Sequence, residues 1–262
     1  MSTWRIARLV AAKDLRVEWR SRVVVNQVLP FAALVMVMFA FALDNTQLLT
    51  RVAPGLVWLA TMFSLVVMVQ RSFAVETADG ALDALQVAGV RPGGIFLGKA
   101  LALGAQLAVL QLVLLGAAIV LYRTELVAGG IVLLVTTYLA ATTGLAFVGT
   151  LYGGLAAGAK GRETLLPLLM LPVVAPVLIG ATRATEAALG TEGATPSDGW
   201  PWIGLLALFA LVFGVGGTLV IGHGTSAEQV FALVEAHGVT VIAAAVPLIT
   251  QWLDADSARH DL

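Results

Sequence analysis

Between Val23 and Leu43 the chain runs for 21 residues without a charge, and five more apolar stretches of comparable length follow. They are Val52–Val69, Ile95–Leu121, Val127–Leu155, Leu165–Thr182 and Trp202–Ile221, and Lys99 is the single charge within all six. About 18 apolar residues suffice for a helix to cross a hydrocarbon layer ~30 Å thick. The composition agrees: 59% of residues are hydrophobic and 12% charged, where a soluble domain carries about a quarter charged residues. The chain cannot cover itself with a water-facing surface. The sequence specifies an all-α polytopic membrane protein with six transmembrane helices over 23–221, and nothing in it points to a nucleic-acid partner.

The net charge of −1 says little, but its distribution says more. With the N-terminus in the cytoplasm, Arg5, Arg8, Lys13, Arg16, Arg20, Arg22, Arg71, Arg91, Lys99, Lys160, Arg162 and Arg259 lie inside. Arg51, Arg123 and Arg183 alone lie outside. Such a bias sets the orientation of a multi-pass protein and predicts a cytoplasmic N-terminus. Ala40-Phe41-Ala42 after a basic start resembles a signal cleavage site, but the apolar run exceeds the 7–15 residues of a signal, so a retained anchor is expected. Residues 1–22 read as a basic amphipathic helix, with Arg5, Arg8, Ala12 and Arg16 on one stripe and Ile6, Leu9, Val10 and Val17 on the other. A helix of that kind lies along the membrane interface near anionic headgroups; a plain topology signal is the alternative. In the 222–262 tail, Thr225-Ser226-Ala227-Glu228 forms a capping box before a short amphipathic helix ending near Gly238. Val239–Leu253 then reads as an interfacial or re-entrant segment with a seventh span as alternative, and the last nine residues read as disordered.

The chemical motifs are mostly decoys. Gly93, Gly98 and Lys99 spell G-x-x-x-x-G-K, the start of a phosphate-binding loop, but Ala100 stands where magnesium needs Ser or Thr. No strand precedes it, so nucleotide binding is rejected and Lys99 reads as a residue snorkelling at the inner boundary of the third span. Gly222-His223-Gly224 mimics a dinucleotide fingerprint without its βαβ context. The absence of cysteine excludes disulfides and thiolate metal sites. His223, His237 and His260 have no carboxylate to complete a metal set; a haem ligand at His223 is the alternative to solvated histidines. With no nucleophile, acid–base pair or metal set, no catalytic residue and no cofactor bound by this chain is expected.

Several features concern packing. Gly149-x-x-x-Gly153 and Gly154-x-x-x-Gly158 permit close helix approach. Thr136, Thr143 and Thr150 recur every seven residues, and Gln106 and Gln111 lie in the third span. Such groups read as packing glue, or as a polar translocation seam. Pro167, Pro172 and Pro176 should bend or break the fifth span.

Between the second and third spans, Val75, Ala78, Leu82 and Leu85 fall on one helical face and Glu76, Asp79 and Asp83 on another. Gly89 and Arg91-Pro92 end that helix, Gly93 and Gly94 turn the chain, and an acidic amphipathic helix on the cytoplasmic side suits docking to a soluble partner. "RVAPGLVWLA" (51–60), "RSF" (71–73), E-x-x-D-G-x-L-x-x-L (76–85), the lysine of "GKA" (98–100) and "LLPLLMLPVVAPVLI" (165–179) resemble the CcmB family over roughly 1–221. These are the membrane subunits of the ABC-type haem exporter of cytochrome c maturation. Gln70 departs from the acidic residue the family places before Arg71, and the tail from Gly222 departs as well.

The resemblance implies a six-helix ABC-2 (type-2 exporter) permease in the inner membrane, paired as two permeases with two ATPase subunits that carry the ATP. It implies other haem-handling membrane proteins as partners, with haem handled by the complex. Glu76, Asp79, Gly80, Leu82, Asp83 and Leu85 would then belong to a coupling helix at about 74–88, and Arg51, Pro54, Gly55 and Trp58 would shape the outer end of span two. Rival readings are an ABC-2 permease for a drug, lipid or glycan, a non-transporting membrane scaffold, and an intramembrane enzyme.

Overall fold

The computed structural model describes residues 2–22, 24–43, 45–78, 91–122, 127, 129–156 and 162–220. They form helices α1 (Thr3–Ser21), α2 (Leu29–Ala42), α3 (Thr46–Ala78), α4 (Pro92–Tyr122), α5 (Gly130–Ala156), α6 (Arg162–Leu189) and α7 (Pro196–Val220). A π-helical turn, Val24–Val28, precedes α2, a 3-10 turn, Thr191–Gly193, links α6 to α7, and there is no strand among the described residues. Six helical segments are long and apolar enough to cross a membrane. They coincide with the six stretches of the sequence to within a few residues, except that α3 begins earlier and ends later and α6 runs on to Leu189.

The helix starts follow local chemistry. The Asn45 carboxamide accepts the N–H groups of Gln47 and Leu48 at 2.9 and 3.2 Å, closing the first turn of α3. Asp198 accepts the Thr195 N–H at 2.9 Å and its hydroxyl at 2.8 Å, a capping arrangement at α7. At α4, Pro92 supplies a preset φ and no superfluous donor. Gly93 and Gly94 are therefore already helical and do not turn the chain.

The first span is a π turn continued by α2, where the sequence suggested one regular helix. The wide turn lies just before Pro30, whose ring cannot donate to the Asn26 carbonyl. The Glu18 carboxylate accepts the Val24 N–H at 2.6 Å, and Arg22 takes a left-handed conformation (φ 52°) to let the chain leave α1. The fifth span is not broken by its prolines. Pro167, Pro172 and Pro176 all lie inside α6, which continues unbroken from Arg162 to Leu189. Neighbouring helices hold such a span together where an isolated one would open.

The bundle is organised around α3, which packs on α2, α4, α5 and α6. Of its most apolar window, 72% is buried, against 17–50% in the other five spans. Gly149 and Gly153 of α5 make the approach to α3: a Cβ on Gly153 would stand 2.5 Å from the Phe73 ring. That part of the small-residue pattern works as its spacing suggests; Gly158 lies outside the described residues. The threonines form no continuous seam. Thr136 and Thr143 donate to the carbonyls of Val132 and Leu139 on their own helix, and Thr150 is buried with no hydrogen-bond partner among the described residues. A cross-helix polar contact is made instead by Gln111 of α4, whose carboxamide oxygen accepts the Thr142 hydroxyl at 2.6 Å. Leu112, Val120, Leu139, Leu168 and Leu211 point outward on the spans, where hydrocarbon solvates them at no cost.

Candidate functional site

The sequence-marked residues that the structure describes gather at the two ends of α3. At the end that carries α1, Lys99 does not reach outward. Its side chain is 3% exposed, and Nζ lies 3.3 Å from Asp14 Oδ2 of α1, 3.4 Å from Ser72 Oγ of α3 and 4.5 Å from the centroid of Phe73. The snorkelling reading is corrected for a steric reason. Gly94 and Gly98 let α1 lie directly on α4: a Cβ on Gly98 would stand 2.6 Å from Val10 Cβ and 2.7 Å from the Ala7 carbonyl oxygen. The helix laid over Lys99 buries the ammonium and brings a carboxylate to it. An ammonium in such surroundings persists because it is paired and hydrogen-bonded.

The same contact revises the faces of α1. Ile6, Ala7 and Ala11 are buried on α4, whereas Leu9 and Val17 are exposed. Small residues set the contact, because close packing needs alanines against glycines more than it needs bulk. Trp4, Leu15 and Trp19 are exposed together with the arginines. Beside this junction a cleft of about 290 Å³ lies between the π turn, α3, α5 and α6, lined by Gln27, Gln70, Arg71 and Phe73. Gln70, the departure from the family pattern, therefore faces this cleft.

At the far end of the bundle, the four residues of the "RVAPGLVW" motif sit on the first turns of α3. Trp58 is 1% exposed; its Nε1 donates to Thr185 Oγ1 of α6 at 3.0 Å, and its ring lies 5.1 Å from that of Tyr138 of α5. Pro54 is buried one turn earlier. Gly55 faces Thr182 of α6, and Arg51 is exposed at the rim. A cleft of about 330 Å³ opens here between α3 and α6, lined by Arg51, Gly55, Thr182, Arg183, Glu186 and Thr191. Arg183 Nη1 lies 3.1 Å from Glu186 Oε2. Nearby, Thr50 donates to the Tyr122 carbonyl at 3.1 Å and Tyr122 to the Met36 carbonyl at 2.8 Å, tying α3, α4 and α2.

Of the docking-helix set, Glu76 lies in the last turns of α3. Asp79, Gly80, Leu82, Asp83 and Leu85 lie outside the described residues, as do the three histidines and the tail from 221 onward. The G-x-x-x-x-G-K string is helical and packed under α1, with no open loop to receive a phosphate. Ser72 and Phe73 belong to the quoted "RSF" motif, whereas Asp14, Tyr138, Thr185 and Glu186 were not singled out by the sequence. Asp14 carried a signal: it is an acid in a basic helix, on the stripe of Ile6, Ala7, Val10 and Ala11.

The fold and its sites define a class: a six-span helical membrane protein in which, among the described residues, no three His, Cys, Asp or Glu side chains gather as a metal set. The family model described as CcmB protein matches residues 5–229, and the chain belongs to that family. It is 29% identical over 214 residues to heme exporter protein B of Pseudomonas aeruginosa, covering 78% of this chain and 90% of the relative. It is 32% identical over 189 residues to heme exporter protein B of Escherichia coli K12, covering 72% and 83%. The relative of the same name in Rhodobacter capsulatus is 31% identical over 185 residues, covering 70% and 84%. No solved structure matches the chain significantly.

Proposed function

We propose that this chain is the permease subunit of an ABC-type haem exporter serving c-type cytochrome assembly, with an ABC-2 arrangement of its six spans. The observation that carries the reading is the family match across residues 5–229, supported by relatives named heme exporter protein B over most of their length. In this reading α1 and the 74–88 segment face the cytoplasm and the Arg51 cleft faces outward across the inner membrane. The charge distribution supports that orientation. Two copies of the chain pair with two copies of a separate ATPase, which binds and hydrolyses the nucleotide, and further haem-handling membrane proteins join the complex. The chain itself hydrolyses no ATP.

Residues 74–88 would seat in the ATPase, with Glu76, Asp79 and Asp83 as the acidic face and Leu82 and Leu85 as the apolar face. The test replaces Asp79→Lys and Leu82→Asp in the native operon. Loss of ATPase co-purification and of covalently haem-bearing c-type cytochromes, with the permease still present in the membrane, is the expected result. Retention of both under both substitutions overturns the docking role. A deletion of the whole gene that leaves cytochrome c levels intact overturns the function.

A further inference from the structure

The two basic residues described at the Arg51 end of the bundle line a single cleft. Among the described lysines and arginines, only Arg51 and Arg183 lie at this end, and they line the 330 Å³ cleft from α3 and α6. Basic residues here do nothing for orientation, since the topological bias places positive charge at the other end. Something else must account for their convergence.

The cleft has the form of a blind vestibule. Beside it, the buried Trp58–Thr185 hydrogen bond ties α3 to α6. At its floor Gly55 of α3 faces Thr182 of α6, where a Cβ on the glycine would already make van der Waals contact with the Thr182 methyl at 3.8 Å. Arg183 is 62% exposed and donates to the Glu186 carboxylate. A guanidinium carries five donors in a planar fork that matches a carboxylate. The Glu186 carboxylate on Arg183 is thus an intramolecular example of the ligand chemistry the cleft accepts. The cleft's volume lies at the small end of ligand pockets, which suits the acidic edge of a larger apolar molecule.

We infer that Arg51 and Arg183 form a carboxylate-binding subsite for the propionate edge of haem at the outer mouth of the bundle. This rests on the haem-handling reading above. Glu186 holds Arg183 in place when the subsite is empty and competes with the incoming carboxylate. Val52 supplies an apolar contact beside it.

The test titrates the full chain in phosphatidylcholine nanodiscs with haem and with haem dimethyl ester, following tryptophan quenching and the Soret band. The wild type should bind haem about tenfold more tightly than the ester, the scale of charge-assisted hydrogen bonds. Arg51→Gln/Arg183→Gln should abolish the difference by weakening haem alone. Glu186→Gln should strengthen haem binding severalfold, a gain that misfolding cannot produce. Equal binding of haem and ester by the wild type overturns the subsite and leaves haem handling intact. Binding of neither overturns both. If replacing phosphatidylcholine by phosphatidylglycerol removes the preference, the arginines hold lipid phosphate and the inference fails.

Discussion

Replacing Lys99 by methionine tests whether α1 is latched to the bundle or only rests on it. Methionine keeps most of the length and apolar bulk of the lysine stem and removes only the charge. The ammonium is 3% exposed and its Asp14 partner 12%, so water does not screen the pair as it does surface pairs. Deleting one member of a buried pair costs about 3–5 kcal/mol, chiefly because the survivor is stranded. Asp14 also lies 3.0 Å from Lys13, which is about half exposed, so Lys99→Met should fall near the lower end, about 3 kcal/mol. Asp14→Leu strands the ammonium beside Phe73 and Ser72 and should approach about 5 kcal/mol. In the double variant neither charge is stranded, and most of the loss should return, giving a coupling energy of about 2 kcal/mol or more. Reversible unfolding in mixed micelles supplies the free energies. The chain has no cysteine, so a single Ala11→Cys reports undocking of α1 by thiol labelling. The reasoning fails if Lys99→Met stays within about 1 kcal/mol of wild type while the introduced thiol stays protected. It fails equally if the double variant is as unstable as the sum of the singles.

Gly98→Leu should push α1 off α4, because even its Cβ would collide with Val10 and the Ala7 carbonyl. We expect a loss of at least about 2 kcal/mol and exposed thiol labelling at Ala11→Cys; protection as in wild type would refute the close-contact account. Thr185→Val removes the acceptor of the buried Trp58 N–H and should cost about 1–3 kcal/mol in the same unfolding assay, whereas a neutral result would mean that water replaces it. Arg22→Gly relieves a positive φ of 52° at the α1 exit and should stabilise by roughly 1 kcal/mol. Destabilisation there would show that the Arg22 charge outweighs the backbone relief.

The six spans were legible because a membrane helix is specified by length and hydropathy alone, and both are local properties of the chain. The pairing of Gly149 and Gly153 with α3 was legible in kind but not in partner, since spacing names a face and not what covers it. Lys99 shows where locality ends. An intramembrane lysine reads as a snorkeller until another helix covers it, and the carboxylate that covers it lies 85 positions earlier. The prolines of α6 failed as helix breakers for the same reason, because adjacent helices and not the segment itself decide whether it stays continuous. At the far end, "RVAPGLVW" marked the motif face of α3, but Thr182, Arg183, Thr185 and Glu186 are more than 120 residues away, and their apposition is tertiary.

From Trp58 to Ala78, α3 contains neither proline nor glycine, and that stretch is about 30 Å of uninterrupted helix. A rod of that stiffness is a lever whose two ends cannot move independently. A tilt of about 10° pivoting at Trp58 would sweep the Ala78 end through roughly 5 Å, about one helical turn. The stretch proposed to seat in the ATPase, 74–88, begins in the last turns of α3. An angular change too small to disturb the packing around Trp58 thereby becomes a displacement large enough to reposition a docked subunit. In the reverse direction, a push at Ala78 becomes leverage on the cleft mouth at Arg51.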